Sequence, residues 1–189
     1  MYVSSEIIAD AEKSFGTPRE ISMIAPLREN ELDFIRSTQK NGREHDITLL
    51  IFNAVGEIAV MNKHGYPAEL FRPPSGGLNI GESFESGGKR EAYEETGLEI
   101  TLLRYLLRVD VSFESPTRKL HWVTHVFVAR ADTEKIEPHD TKEIREARWA
   151  PMAIFDDFRE CSQAFDQGGI HYRRRLHDEI LKTLEGAPI

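Results

Sequence analysis

A chain of 189 residues that is 40% apolar and 30% charged has the size and balance of a globular domain able to bury a sizeable core. Its net charge of −8 argues against partners bound by general electrostatics, so neither nucleic acid nor an anionic membrane is expected. The lone Cys161 rules out a disulfide framework and fits a reducing compartment; with no apolar core in MYVSSEIIADAEK and no run near the roughly 18 apolar residues of a membrane span, a cytoplasmic protein is expected.

In chain order, Ser4 to Phe15 reads as an amphipathic helix closed by Gly16 and Pro18. A second helical pattern covers Glu29–Thr38, with Leu32, Phe34 and Ile35 as its buried side, and Asn41-Gly42 marks a turn. Asp46–Phe52 reads as a buried strand, turned by Gly56 into a second strand, Glu57–Asn62. Arg72-Pro73-Pro74-Ser75-Gly76-Gly77 follows; its prolines rule out a central strand and its glycines allow close backbone approach. Ser83 caps a helix to about Thr96, with Glu85 in the first turn and Gly97 placed to end it in a left-handed conformation. Glu99–Val111 forms one long strand or two, Ser115-Pro116 breaks it, and Leu120–Ala131 resumes. Glu143–Trp149 is a last short strand before a helix around Met152–Phe158. A carboxy-terminal helix, His171 to Leu184, carries the apolar stripe Leu176, Ile180, Leu181 and Leu184.

The chemistry concentrates between Gly76 and Leu98, GGLNIGESFESGGKREAYEETGL. On a helix Glu91, Glu94 and Glu95 lie about 300° and 400° apart and share a face. Carboxylates so close repel one another unless a cation lies between them, and hard oxygen donors suit Mg²⁺ or Mn²⁺ better than zinc. Arg90 is placed to orient Glu91 or to pair with Glu82.

Gly76, Glu82, Arg90-Glu91-Ala92, Glu94-Glu95, Gly97 and Leu98 fill every fixed position of the pattern G-x5-E-x7-R-E-U-x-E-E-x-G-U, U being apolar. The chain therefore resembles the Nudix hydrolases over about residues 43–158. The resemblance implies an α+β fold, a mixed β-sheet sandwiched between α-helices, with residues 1–42 as a helical extension and 159–189 as a helix packed on the domain. It implies a Mg²⁺- or Mn²⁺-dependent pyrophosphatase acting on a small nucleotide, a nucleoside diphosphate linked to X or a nucleoside triphosphate, with ADP-ribose, nucleotide sugars, dinucleoside polyphosphates and damaged nucleoside triphosphates all open. Glu94 and Glu95 would hold metal, Glu91 would be a ligand or general base, and Arg90 would orient it. Gly76 and Glu82 would support the geometry, the Ser75 carbonyl would join the metal shell, and Glu143 would supply a further acid, with Asp140 and Glu146 as competitors. Arg72 is a candidate substrate-binding residue. Pro74-Ser75-Gly76-Gly77 resembles the loop of enzymes acting on ADP-ribose and nucleotide sugars, although Met61-Asn62-Lys63-His64 stands where that group carries Gln-Tyr-Arg.

Other features receive plainer readings. His121 and His125 fall in a strand, where four residues span about 13 Å, so they line one sheet face beside a groove rather than share an ion. Arg173-Arg174-Arg175 is a cationic patch that could meet an anionic substrate or a partner subunit, but a solvated face flanking the packing stripe of the last helix is the favoured reading, with a homodimer contact second. Gly87-Gly88 costs the catalytic helix about 1 kcal/mol per glycine, which close packing on the sheet would explain. A nucleotide-sensing Nudix module without turnover is the alternative function, though such modules usually lose box glutamates. A Nudix-fold isomerase would need a cysteine in the cleft, and Cys161 lies beyond the core.

Overall fold

The computed structural model describes residues 2–39 and 42–186. Ser4 caps α1 (Ser5–Phe15) by accepting from Ile7 N at 3.2 Å. Next comes β1 (Arg19–Pro26), which the sequence pattern did not reveal, then α2 (Glu29–Thr38) with the expected bounds. Leu32 is buried and Ile35 packs on the core, but Phe34 is 70% exposed, a correction to the expected buried side. Of the expected turn, Gly42 has a φ of +79°, while Asn41 lies outside the described residues.

Further along the chain are β2 (His45–Phe52), β3 (Ile58–Lys63), the two-residue β4 (Ser75–Gly76) and α3 (Phe84–Thr96). They are followed by β5 (Ile100–Glu114), β6 (Lys119–Ala131), β7 (Ile144–Ala150), α4 (Ile154–Cys161) and α5 (Gly168–Glu185). The strands form one mixed sheet in the order β1-β5-β6-β2-β3-β7, with β4 paired to β2. β1 runs parallel to β5 and β2 parallel to β6; the other neighbours are antiparallel.

Helices cover both faces, as the α+β expectation required. Ile47, Leu49 and Ile51 of β2 face α1 and α3, packing with Phe84, Ala92 and Ala11. Leu50 and Phe52 face the other way, toward Leu32, Phe155, Tyr172, Leu176 and Ile180 of α2, α4 and α5. A strand buried on both faces reads as an unbroken apolar run, which is why β2 shows no alternation.

One irregularity positions the functional loop. β2 and β3 meet only at Phe52↔Ile58 and then diverge. The segment from Arg72 to Gly76 fills the wedge. Arg72 exchanges backbone hydrogen bonds with Met61 of β3 at 2.8 and 3.0 Å, and Leu49 N of β2 donates to Pro74 O at 2.9 Å. Ser75 and Gly76 then pair with Thr48 and Ile47. The prolines, which have no N–H to donate, occupy the crossing between the two strands.

Candidate active site

The loop and α3 are fitted together by side chains of both. Ser83 caps α3, and the helix ends at Gly97 with φ +75°. Glu95, near that end, points its carboxylate into the wedge and accepts from Ser75 N at 2.7 Å. One turn earlier the Glu91 carboxylate lies against Gly76, where a β-carbon would overlap it. The missing side chain at Gly76 is therefore what lets helix and loop approach.

Arg90 organises the outer side. Its Nε and one terminal nitrogen clasp Glu82 at 3.0 and 2.9 Å, and it also donates to Gly77 O at 2.8 Å. The other terminal nitrogen reaches Glu91 at 2.7 Å and Glu94 at 3.2 Å. Both roles foreseen for Arg90, pairing with Glu82 and orienting Glu91, thus occur together. Burial alone would raise the Glu82 carboxyl, but Arg90 and Asn79 N–H hold it below its ordinary value. Glu91 behaves oppositely. Burial pushes it up to about 7, against the pull of Arg90 and helped by the charges of Glu95 and Glu94.

A lysine that the motif did not single out completes the cluster. Lys63, at the end of β3, places its ammonium 2.8 Å from Glu95 and also binds Glu143. The visible signal was slight: a buried apolar strand that ends in Asn62-Lys63. The preceding loop fixes Glu143, because Glu94 O accepts from His139 N at 3.0 Å and Asp140 N at 2.9 Å, while Thr96 O accepts from Glu137 N. Tyr93 and His139 stack at 4.2 Å beside this anchor. Of the competitors for the acid's role, Asp140 caps the turn by accepting from Glu143 N, and Glu146 lies near Arg148.

Among the described residues no three carboxylate, imidazole or thiolate groups converge closely enough to hold an ion as they stand. Each glutamate of the triad instead meets a protein cation: Arg90 for Glu91 and Glu94, Lys63 for Glu95. The donor chemistry nevertheless fits a hard divalent cation, since the groups are carboxylate oxygens and Lys63 already lies as a cation between Glu95 and Glu143.

Behind the loop lies a second, cationic cluster. Arg72 is buried and donates to Ser75 Oγ at 2.5 Å. Arg173 of α5 turns inward toward the same oxygen at 3.3 Å and toward Asp46 at 3.5 Å, which corrects its reading as part of a solvated face. Arg175 instead binds Ile24 O. His125 is also a correction. It is fully buried, 2.9 Å from His45, hydrogen-bonded to Tyr105 and packed on Phe84, so it belongs to the core and not to a groove; His121 is exposed beside Asp110. The expected close packing on the sheet is corrected at Gly87, where a β-carbon would come within 2.5 Å of Leu78 and 3.1 Å of Glu82 in the preceding loop; Gly88 is the glycine that faces the sheet, with ordinary contacts of 3.4 Å to Ile47 and Leu49.

The family profile described as the NUDIX domain matches residues 42–166. The mutator protein MutT4 of Mycobacterium tuberculosis, so named, is 31% identical over 83 residues, 44% of this chain and 33% of that protein. The oxidized purine nucleoside triphosphate hydrolase of Danio rerio is 29% identical over 100 residues, 52% of this chain and 62% of that protein. The chain thus matches less than two thirds of either relative's length. Among solved structures, a Nudix-family hydrolase from Clostridium perfringens is 18% identical with a TM-score of 0.46, covering 73% of this chain and 98% of its own. A UDP-X diphosphatase is 17% identical with the same TM-score, covering 64% of this chain and 59% of its own.

Proposed function

The chain belongs to the Nudix family, and on that premise we propose that it is a Mg²⁺- or Mn²⁺-dependent hydrolase cleaving a pyrophosphate bond in a nucleoside diphosphate linked to a further group X. One observation carries the proposal: Glu95 is hydrogen-bonded to Ser75 N and Glu91 is packed on Gly76, so two carboxylates of the motif meet one loop in the wedge between β2 and β3. Glu91, Glu94, Glu95 and the Ser75 carbonyl would hold the cation, with Glu143 as a further acid. When bound, such a cation supplies Lewis acidity that neutralises charge on a diphosphate and eases deprotonation of the attacking water.

The chain's own residues supply the rest. Arg90, anchored by Glu82 and Gly77 O, fixes the Glu91 carboxylate through its 2.7 Å contact. So held, Glu91 is the carboxylate suited to accept a proton from water where it is not itself a ligand of the cation. Water then adds to one phosphorus, the P–O bond to the bridging oxygen breaks, and that oxygen leaves with the second phosphoryl group. Arg72, behind Ser75, is the substrate-binding candidate nearest the loop. Likeness to a hydrolase of oxidized purine nucleoside triphosphates supports including those compounds beside ADP-ribose, nucleotide sugars and dinucleoside polyphosphates.

The test is phosphate release from that panel with Mg²⁺ or Mn²⁺, with phosphatase or pyrophosphatase added to reveal products, run beside Glu95→Gln. Turnover of one compound class that disappears in the variant is expected. Tight nucleotide binding with no turnover of any compound would replace the hydrolase with a sensing module.

A further inference from the structure

Two guanidiniums converge on one neutral oxygen next to the acidic cluster. Arg72, 6% exposed, has Ser75 Oγ at 2.5 Å and Pro73 O at 3.4 Å as hydrogen-bond acceptors, and neither carries charge. Arg173 reaches Ser75 Oγ at 3.3 Å, Thr48 Oγ1 at 3.5 Å and Asp46 at 3.5 Å. Asp46 is itself divided, since its other oxygen accepts from Trp122 at 2.9 Å and Thr124 at 2.5 Å. Glu95 is already committed to Lys63 and to Ser75 N. Among the described residues Arg72 thus meets no carboxylate in a hydrogen bond and Arg173 meets only Asp46, where buried charges are ordinarily paired. Paired guanidinium forks match the oxygens of a phosphate better than any other common anion.

We propose that Arg72 and Arg173 form a phosphate-oxygen site that takes a phosphoryl group of the substrate, with the Ser75 hydroxyl occupying the guanidinium donors until the anion displaces it. The site deepens the hydrolase reading and rests on it for the identity of the ligand. It also assigns a binding role to α5, which begins at Gly168, beyond the segment that matches the family profile. Arg173 is the solvent side of the pair, with 16% of its side chain exposed, and Arg72 lies deeper.

The experiment is a calorimetric titration of the full chain with inorganic pyrophosphate in the presence of a chelator, so that binding is read without metal and without turnover. Arg173→Met is expected to weaken binding about ten- to a hundredfold, the worth of a lost charge-assisted hydrogen bond or two, and Arg173→Lys to recover part of it. The pair Asp46→Asn/Arg173→Met removes the ion pair as a unit, sparing the fold a lone buried carboxylate if the single variant does not fold. It is expected to show the same loss. Ser75→Ala, which frees both guanidiniums, is expected to bind pyrophosphate at least as tightly as the parent. Equal affinity of the parent and a folded Arg173 variant would overturn the site, as would loss of binding in Ser75→Ala. Turnover that depends on Glu95 without metal-free pyrophosphate binding would overturn the anion site alone; binding without turnover of any compound would overturn only the hydrolase.

Discussion

Burial makes the surroundings of Glu91 inhospitable to a charge. The move of its pKa from 4.5 to about 7 corresponds to about 3 kcal/mol, at roughly 1.4 kcal/mol per factor of ten. The sign follows from proton counting. Between those values the folded chain holds a proton that the unfolded chain has lost, so this group's contribution to stability is full below pH 4.5 and is lost as pH rises through about 7. Glu91→Gln, in chelator, is therefore expected to raise stability by about 1–3 kcal/mol more near pH 8 than near pH 5. Urea melts at the two pH values check this; an equal effect at both would mean that Glu91 titrates normally. The identity of the three glutamates was legible from spacing alone. Their unequal burial was not, because it depends on Gly76 and on the wedge between two strands. Arg173 and Lys63 were hidden for a related reason: a basic residue shows its meaning only when the element carrying it is placed against a carboxylate from elsewhere in the chain.

Elements with local signals were read well and those without were not. The bounds of α1 and α3 followed from caps and glycines close in sequence, those of α2 from its helical pattern, and β2, β3 and β6 from apolar runs. β1 escaped because Arg19–Pro26 mixes charged, polar and proline residues on an edge strand, and its pairing with β5 is parallel and distant in sequence. Two glycines fix how α3 meets its surroundings, and replacing each by alanine separates function from stability. At Gly97, φ is +75° and a β-carbon would run into the backbone carbonyl of Glu137. Gly97→Ala is expected to cost more than about 1 kcal/mol and to lower the melting temperature. At Gly76 the obstruction is the end of a flexible side chain, Glu91, which can swing away. Gly76→Ala should thus leave the melting temperature closer to the parent's than Gly97→Ala does, while lowering Mg²⁺-dependent turnover at least about tenfold by displacing the carboxylate. The idea fails if Gly76→Ala turns over at the parental rate, or if the order of the two melting temperatures is reversed.

At the scale of the whole molecule, the unit that folds is larger than the segment that carries the family likeness. The match ends at residue 166, yet α5 starts at Gly168 and buries Tyr172, Leu176 and Ile180 in the core cluster shared with β2, β5 and β6. At about 1.5–3 kcal/mol for each large side chain, that burial is worth roughly 5–9 kcal/mol, comparable with the entire stability of a typical domain. Asp46 would in addition lose Arg173, leaving a buried carboxylate without its cation, and Thr124 would lose the Tyr172 hydroxyl it meets at 2.6 Å. A chain ending at residue 166 is accordingly expected to lack a cooperative urea transition, even though it keeps every residue of the motif. The full chain should unfold in one transition, because α5 and the sheet share that core. Circular dichroism and intrinsic tryptophan fluorescence followed together through urea decide the matter, since Trp122 lies in this core and donates to Asp46. A shortened chain that unfolded cooperatively at the parental midpoint would show that α5 is an appendage, and would confine the folding unit to the family segment and the elements before it.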